Sequence, residues 1–161
     1  MAVFLRKALG IGKLPDDMRS AAEAEGIIHL AEFVAVTFRF SGKVPGKTAH
    51  GNIRSYVGAL VLTNQRVLGT LSVVPKKAGR AVDHQWNASA GTMVQATLDE
   101  SGLTLDLPDL SVVDPSFSGT LSLHFKDPLT DDVLMRLPQR SFGFDVPAKF
   151  VYSAVGVPFR G

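Results

Sequence analysis

Between Phe33 and Val82 the chain carries no acidic residue, yet it holds Arg39, Lys43, Lys47, Arg54, Arg66, Lys76, Lys77 and Arg80. Four of these, Arg39, Lys43, Lys47 and Arg54, fall on or beside one Gly/Pro-rich stretch, with His50 among them. A segment that gathers cations and excludes acids lowers the free energy of a nearby phosphate or carboxylate. Arginine offers paired donors to such a group and lysine a point charge. The expected chemistry is anion or phosphate binding by Arg39, Lys43, Lys47, His50 and Arg54. The bland alternative is a set of solvated bases. After Val82 the sign reverses, with ten aspartates and glutamates from Asp83 to Asp145. The same split would also suit two oppositely charged faces through which two copies associate.

Other chemistries find few residues to use. The chain has no cysteine, so thiolate metal sites, disulfides and cysteine nucleophiles are excluded. His29, His50, His84 and His124 show no metal-ligand spacing. His124 and Asp127 lie close together, but as a strand end and a helix cap. No Gly-x-Ser-x-Gly elbow is present. Gly46-Lys47-Thr48 imitates the end of a phosphate loop, but Ser41 stands where its first glycine belongs. Asp99-Glu100 and Asp131-Asp132 fit a turn and a helix start. The expectation is therefore no catalytic residue, no metal, no cofactor and no enzymatic activity. Aromatic residues do not interleave with the bases as single-stranded nucleic acid would require, so no nucleic-acid partner is expected.

These residues need elements to position them. At 161 residues, with 45% apolar and 20% charged content, the chain suits one domain with a real core. No apolar run nears the roughly 18 residues of a membrane span, and the start lacks the apolar stretch of a secretory signal. Residues 1–13 read as an arm in which Phe4, Leu5, Leu9 and Ile11 stand among Arg6, Lys7 and Lys13, a short amphipathic helix suited to a membrane surface, or a segment that packs on its own domain or frays. "LPDDMRSAAEAEG" reads as a helix opened by Pro15, Asp16 and Asp17 and closed by Gly26. Strands follow: Val36, Phe38 and Phe40 alternate with polar residues. "SGKVPGKTAHGNI" reads as a long mobile loop. Tyr56 to Leu62 and Arg66 to Leu71 read as a hairpin turned by Thr63-Asn64-Gln65. Arg66 is expected to bond carbonyls or pair with an acid of its own sheet, and Trp86 to anchor the core.

"PKKAGR" reads as a turn, and "AVDHQW", "TMVQATLD", "LTLDL" and "SGTLSLHF" as short strands. "DPLTDDVLMRLP" reads as a helix with Asp127 as N-cap, Pro128 first, and an apolar stripe of Leu129, Val133, Leu134 and Leu137. The tail "FVYSAVGVPFRG" reads as an added strand or a cover for a sheet edge.

On these motifs the chain resembles bacterial pleckstrin-homology-like (PH-like) and GRAM-type domains. "GALVLTNQRVLGTL" is similar to their hairpin, in which a strand ends in a Thr-x-x-Arg turn. "LPDDMRSAAEAEGIIHLAE" is similar to the start of actinobacterial members. The resemblance covers Leu14 to Trp86 by motif and the remainder by element order, and "SFGFDVPAKFVYSAVGVPFRG" has no counterpart in it. It implies a mainly β, α+β fold: a partly open antiparallel barrel of about seven strands, an N-terminal helix, and a short helix after the last barrel strand. The implied organisation is an arm over 1–13, the domain over 14–138 and a C-terminal extension over 139–161. Eukaryotic relatives by fold bind inositol phosphates through bases near the first strand pair. Their Lys-x-Arg spacing is not reproduced here, since Asn52 and Ile53 precede Arg54.

The expected function is a non-enzymatic binding or scaffolding module. It would be cytoplasmic, or peripheral at the inner face of the membrane, and would act on a protein partner or an anionic lipid. Self-association would run through the C-terminal segment. The rival is a small-molecule carrier or enzyme that uses the barrel interior. Filling of that interior by Val36, Phe38, Leu60, Leu62, Val67, Leu121 and Leu123 would leave such a ligand no room.

Overall fold

The computed structural model describes residues 13–74 and 77–157. Helix α1 (Asp16–Glu25) leads into β1 (Ile27–Val44), β2 (Lys47–Thr63), β3 (Arg66–Val74) and β4 (Lys77–Gln85). Then come β5 (Val94–Asp99), β6 (Gly102–Leu107), a 3-10 turn at Leu110–Val112, and β7 (Ser118–Lys126). Helix α2 (Asp131–Arg136), strand β8 (Ser141–Phe144) and helix α3 (Ala148–Val155) are the last elements of the described residues. The protein is mainly β, an antiparallel and nearly closed barrel of eight strands in the order β4-β3-β2-β1-β7-β6-β5-β8.

Two meanders, β1 to β4 and β5 to β7, join where β1 pairs with β7. The edge strands β4 and β8 meet through rings rather than a backbone ladder. His84 of β4 stacks on Phe142 and Phe144 of β8, with ring centroids 4.7 and 5.5 Å apart. Trp86 meets Phe142 edge-on at 6.0 Å.

Alternation fills the interior. Val36, Phe38 and Phe40 of β1 face inward with Leu60 and Leu62 of β2, Leu103, Leu105 and Leu107 of β6, and Leu121, Leu123 and Phe125 of β7. The second half of β2 is buried at every position because both its faces are covered. Leu60 and Leu62 join the barrel core, while Ala59 and Val61 pack under Leu14 and Ala22 at α1. Glu32 ties this helix down, accepting from the Leu14 amide at 2.7 Å and pairing with Arg19.

The structure departs from the sequence reading in five places, the first being "PKKAGR", whose residues 77–80 already belong to β4. Among the described residues there are eight strands, where about seven were expected, since β8 forms within the expected extension. Residues 41–53 are no loop: β1 and β2 run on as a paired hairpin to Val44↔Lys47. Pro45-Gly46 makes its turn, with Gly46 at φ +92°. Val44 and Ala49 are buried, which repays the ordering of this glycine-rich segment. Gly42 and Gly119 let β1 and β7 approach, since a Cβ at Gly42 would lie 2.1 Å from the Ser118 carbonyl oxygen. The helix expected from Asp127 begins at Asp131 instead. Its N-cap is Thr130, whose Oγ1 accepts from the Val133 amide, and Asp127 is buried beside His29. Finally, residues 150–155 of the tail belong to a helix rather than an added strand, and residues 158–161 lie outside the described residues. Val151 and Val155 of α3 are fully buried in the barrel core, and Tyr152 meets Phe117 edge-on at 5.3 Å.

Candidate functional site

Residues directly opposite one another in an antiparallel sheet share a face. On β1, Phe38 and Phe40 point inward, so Arg39 points outward. Its partners are Ile53 on β2 and Ser122 on β7. Ser122 in turn faces Asp106 on β6, which faces Gln95 on β5. One row of outward side chains therefore crosses five strands: Ile53, Arg39, Ser122, Asp106, Gln95. Beside it lie Ser41 and Thr120, also paired. These residues line an open groove of about 600 Å³. That volume lies in the range of ligand sites, roughly 300–1,000 Å³.

Arg39 is exposed, and neither its side chain nor that of Asp106 has a hydrogen-bond or ion-pair partner among the described residues. Ile53 stays 57% exposed despite its apolar side chain. The groove thus offers a guanidinium, a carboxylate, several hydroxyls and an apolar contact on one rigid sheet.

The five residues expected to bind an anion are divided by register. Arg39 and Lys43 share the outer face of β1, Lys43 lying opposite Thr48 and Ser118. Arg54 lies opposite Phe38 and Lys47 opposite Val44, which places both on the inner face of the hairpin. Arg54 reaches the end of α3: a Cβ at Gly156 would stand 3.4 Å from its Nη1. A cation suits that negative helix terminus, which gives Arg54 a structural use. His50 is exposed near the hairpin tip. Of the five, only Arg39 lines the groove.

Arg66 belongs to a different arrangement. Its guanidinium pairs with Glu25 at the end of α1 and with Asp83 on β4, the latter at 3.2 Å. The hydrogen bond to Glu25 is the main reason its pKa is raised, and the same bond is the main reason that the Glu25 carboxyl is held low. Thr63 organises the turn beside it. Its Oγ1 accepts from the amides of Gln65 and Arg66, at 3.1 and 3.0 Å, and donates to Glu25 at 2.9 Å. Its carbonyl accepts from Trp86 Nε1 at 2.8 Å. The Thr-x-x-Arg turn thus ties helix, hairpin and β4 together, and Trp86 is the core anchor expected of it.

Two polar groupings were not legible in the chain. His29 Nε2 donates to Asp127 Oδ2 at 2.6 Å, joining the start of β1 to the residue after β7. His124 Nε2 reaches the Ser101 carbonyl at 3.2 Å, while Ser101 Oγ donates to Asp99 at 2.6 Å. The Ser101 hydroxyl, ahead of its amide, holds the Asp99 carboxyl below the usual range. The carboxylate sits on the serine and not behind the histidine, so the order of a nucleophilic triad is missing. Among the described residues, no three His, Asp or Glu side chains converge as a metal cage. No helix among them is long and apolar enough to cross a membrane.

No family model matches the chain, and neither curated proteins nor solved structures return a match.

Proposed function

We propose that this protein is a non-enzymatic binding module of PH-like type whose outer groove engages an anionic group through Arg39, with Lys43 adding charge beside it. One observation carries this reading: an unpaired guanidinium lines an open groove on the outside of a barrel whose inside is filled. The seven positions that would surround an interior ligand, Val36, Phe38, Leu60, Leu62, Val67, Leu121 and Leu123, all lie in one buried cluster. That favours a surface site over an interior carrier or enzyme. Two meanders joined through β1 and β7, with a helix packed into the core after the barrel strands, support the PH-like assignment.

The anion belongs to a protein partner or to a lipid headgroup at the inner face of a membrane. Self-association through the C-terminal segment would use its outward residues, because Val151 and Val155 are spent on the chain's own core. The test is co-sedimentation with phosphatidylserine-containing and pure phosphatidylcholine vesicles at low salt, together with heteronuclear NMR titration by inorganic phosphate. Binding by either anion that is lost in Arg39→Ala supports the reading. Equal recovery with both vesicle types, together with no phosphate-induced shifts around Arg39, removes the anion site.

A further inference from the structure

The groove lies where the acid-free half of the chain meets the acidic half. Arg39, on β1, and Asp106, on β6, flank Ser122 of β7 in a single register row. Adjacent strands are about 4.8 Å apart, so the two charges are anchored roughly 10 Å from each other. Neither finds a partner among the described residues. A ligand of one sign would satisfy one end of the groove and be repelled by the other. A free α-amino acid, with its charges a few ångströms apart, is too short to reach both.

We infer that the groove binds an extended segment of a partner protein that carries an acidic and a basic side chain three residues apart. The inference rests on the surface-site reading above and names the partner's chemistry. An extended left-handed chain with three residues per turn advances about 3.1 Å per residue, so positions i and i+3 share a face roughly 9 Å apart. That repeat matches the two strand spacings between Arg39 and Asp106. The acid pairs with the Arg39 guanidinium and the base with the Asp106 carboxylate. Such a chain has no internal hydrogen bonds, so its carbonyls are free to accept from Ser122 Oγ and from the Gln95 amide. From Ile53 to Gln95 the row spans four strand spacings, about 19 Å, which accommodates roughly six residues. Ile53 supplies apolar contact beside the acid-binding end.

The experiment is a fluorescence-anisotropy titration of the full chain with a labelled hexapeptide, Ala-Glu-Pro-Ala-Lys-Ala, blocked at both ends. A control, Ala-Pro-Glu-Lys-Ala-Ala, keeps the composition but makes the charges adjacent. The spaced peptide is expected to bind at least about tenfold more tightly than the control. Arg39→Glu and Asp106→Lys should each abolish that preference, and the double exchange should restore it, because the peptide can turn end for end. Restoration is a readout that misfolding cannot produce. Equal binding of both peptides, or single variants that bind like the parent, overturns the inference. Anionic vesicles that pellet the parent but not Arg39→Glu, with no peptide bound, overturn it too and leave the Arg39 anion site standing. Failure of vesicles, phosphate and peptides alike removes both.

Discussion

Arg66 and Arg39 both lie within the acid-free stretch, but their surroundings differ completely. Arg66 is held by Glu25 and Asp83, half-buried beside a hydroxyl that organises its own turn. Arg39 is exposed, in register with an isoleucine and a serine, and has no partner among the described residues. A charge in a stretch without acids is not thereby available, because the barrel brings acids from elsewhere: Glu25 from α1 and Asp83 from β4. What separates a structural arginine from a functional one is whether the fold has already satisfied it. The pair therefore makes opposite predictions. Removing Arg66 should cost stability, and removing Arg39 should cost binding.

The largest effect is expected at Arg66. Breaking a buried ion pair by deleting one partner costs about 3–5 kcal/mol, while an exposed pair is worth less than about 1. The side chains of Arg66, Glu25 and Asp83 retain 21, 11 and 25% exposure, so part of that cost is screened. Arg66→Ala should lower the unfolding free energy by about 2–3 kcal/mol, read from urea denaturation midpoints. A loss below about 0.5 kcal/mol would place Arg66 among ordinary surface residues and end the contrast. Thr63→Val comes next, at about 1–2 kcal/mol, because it leaves two turn amides and Glu25 without their shared hydroxyl. The same measurement in the Glu25→Gln background sharpens the point, since coupling between the two changes reports the network directly.

How much of this the chain discloses depends on how local the cause is. The inward face of β1 is written in the alternation of Val34, Val36, Phe38 and Phe40. The Thr63 turn is equally visible, because a threonine hydroxyl bonds amides two and three residues on. The hairpin over residues 41–53 is not visible. Glycine and proline there carry loop statistics, while the strand pairing goes with contacts from elsewhere, the ladder to β7 and the burial of Val44 and Ala49. Asp127 was legible as a helix cap and is in fact the partner of His29, a contact set by packing across the whole chain. The groove was half legible: Arg39 stood out as a base, but its alignment with Asp106 exists only in the registers of β1 on β7 and β7 on β6. No property of either segment alone encodes it.

The barrel seam offers a smaller test, by pH. Burial pushes the His84 pKa below its ordinary value near 6.5, and its ring is stacked on Phe142 and Phe144 where β4 meets β8. In the unfolded chain His84 takes a proton as pH falls through about 6.5, while the folded protein resists until a lower pH. The unfolded state then binds more protons, so stability declines on acidification across that window and is unaffected by this group above it. His84→Phe keeps the stacking and should flatten the decline between neutrality and the acid side of that window. Unfolding midpoints measured in a pH series would show it. An identical slope in the variant would assign the decline in that window to other groups; Glu25, whose carboxyl is held below its ordinary value by Arg66, loses its contribution only at more acid pH than the His84 window.

The smallest change in stability is expected at Arg39 itself, and it is the one that closes the comparison. An exposed side chain without a partner contributes packing of its aliphatic stem and little else, so Arg39→Ala should alter the unfolding free energy by no more than about 0.5 kcal/mol. Its effect on anion or peptide binding should be large, because nothing else expected to bind an anion lines the groove. The two measurements on one variant are mutually constraining. A drop of stability like that of Arg66→Ala would mean that the fold uses Arg39, and lost binding would then say nothing about a site. Unchanged stability with lost binding identifies a charge held outward at the barrel's expense for something outside the chain. Unchanged stability with unchanged binding makes Arg39 one more solvated base, the bland outcome that a base-rich, acid-free stretch allows from the start.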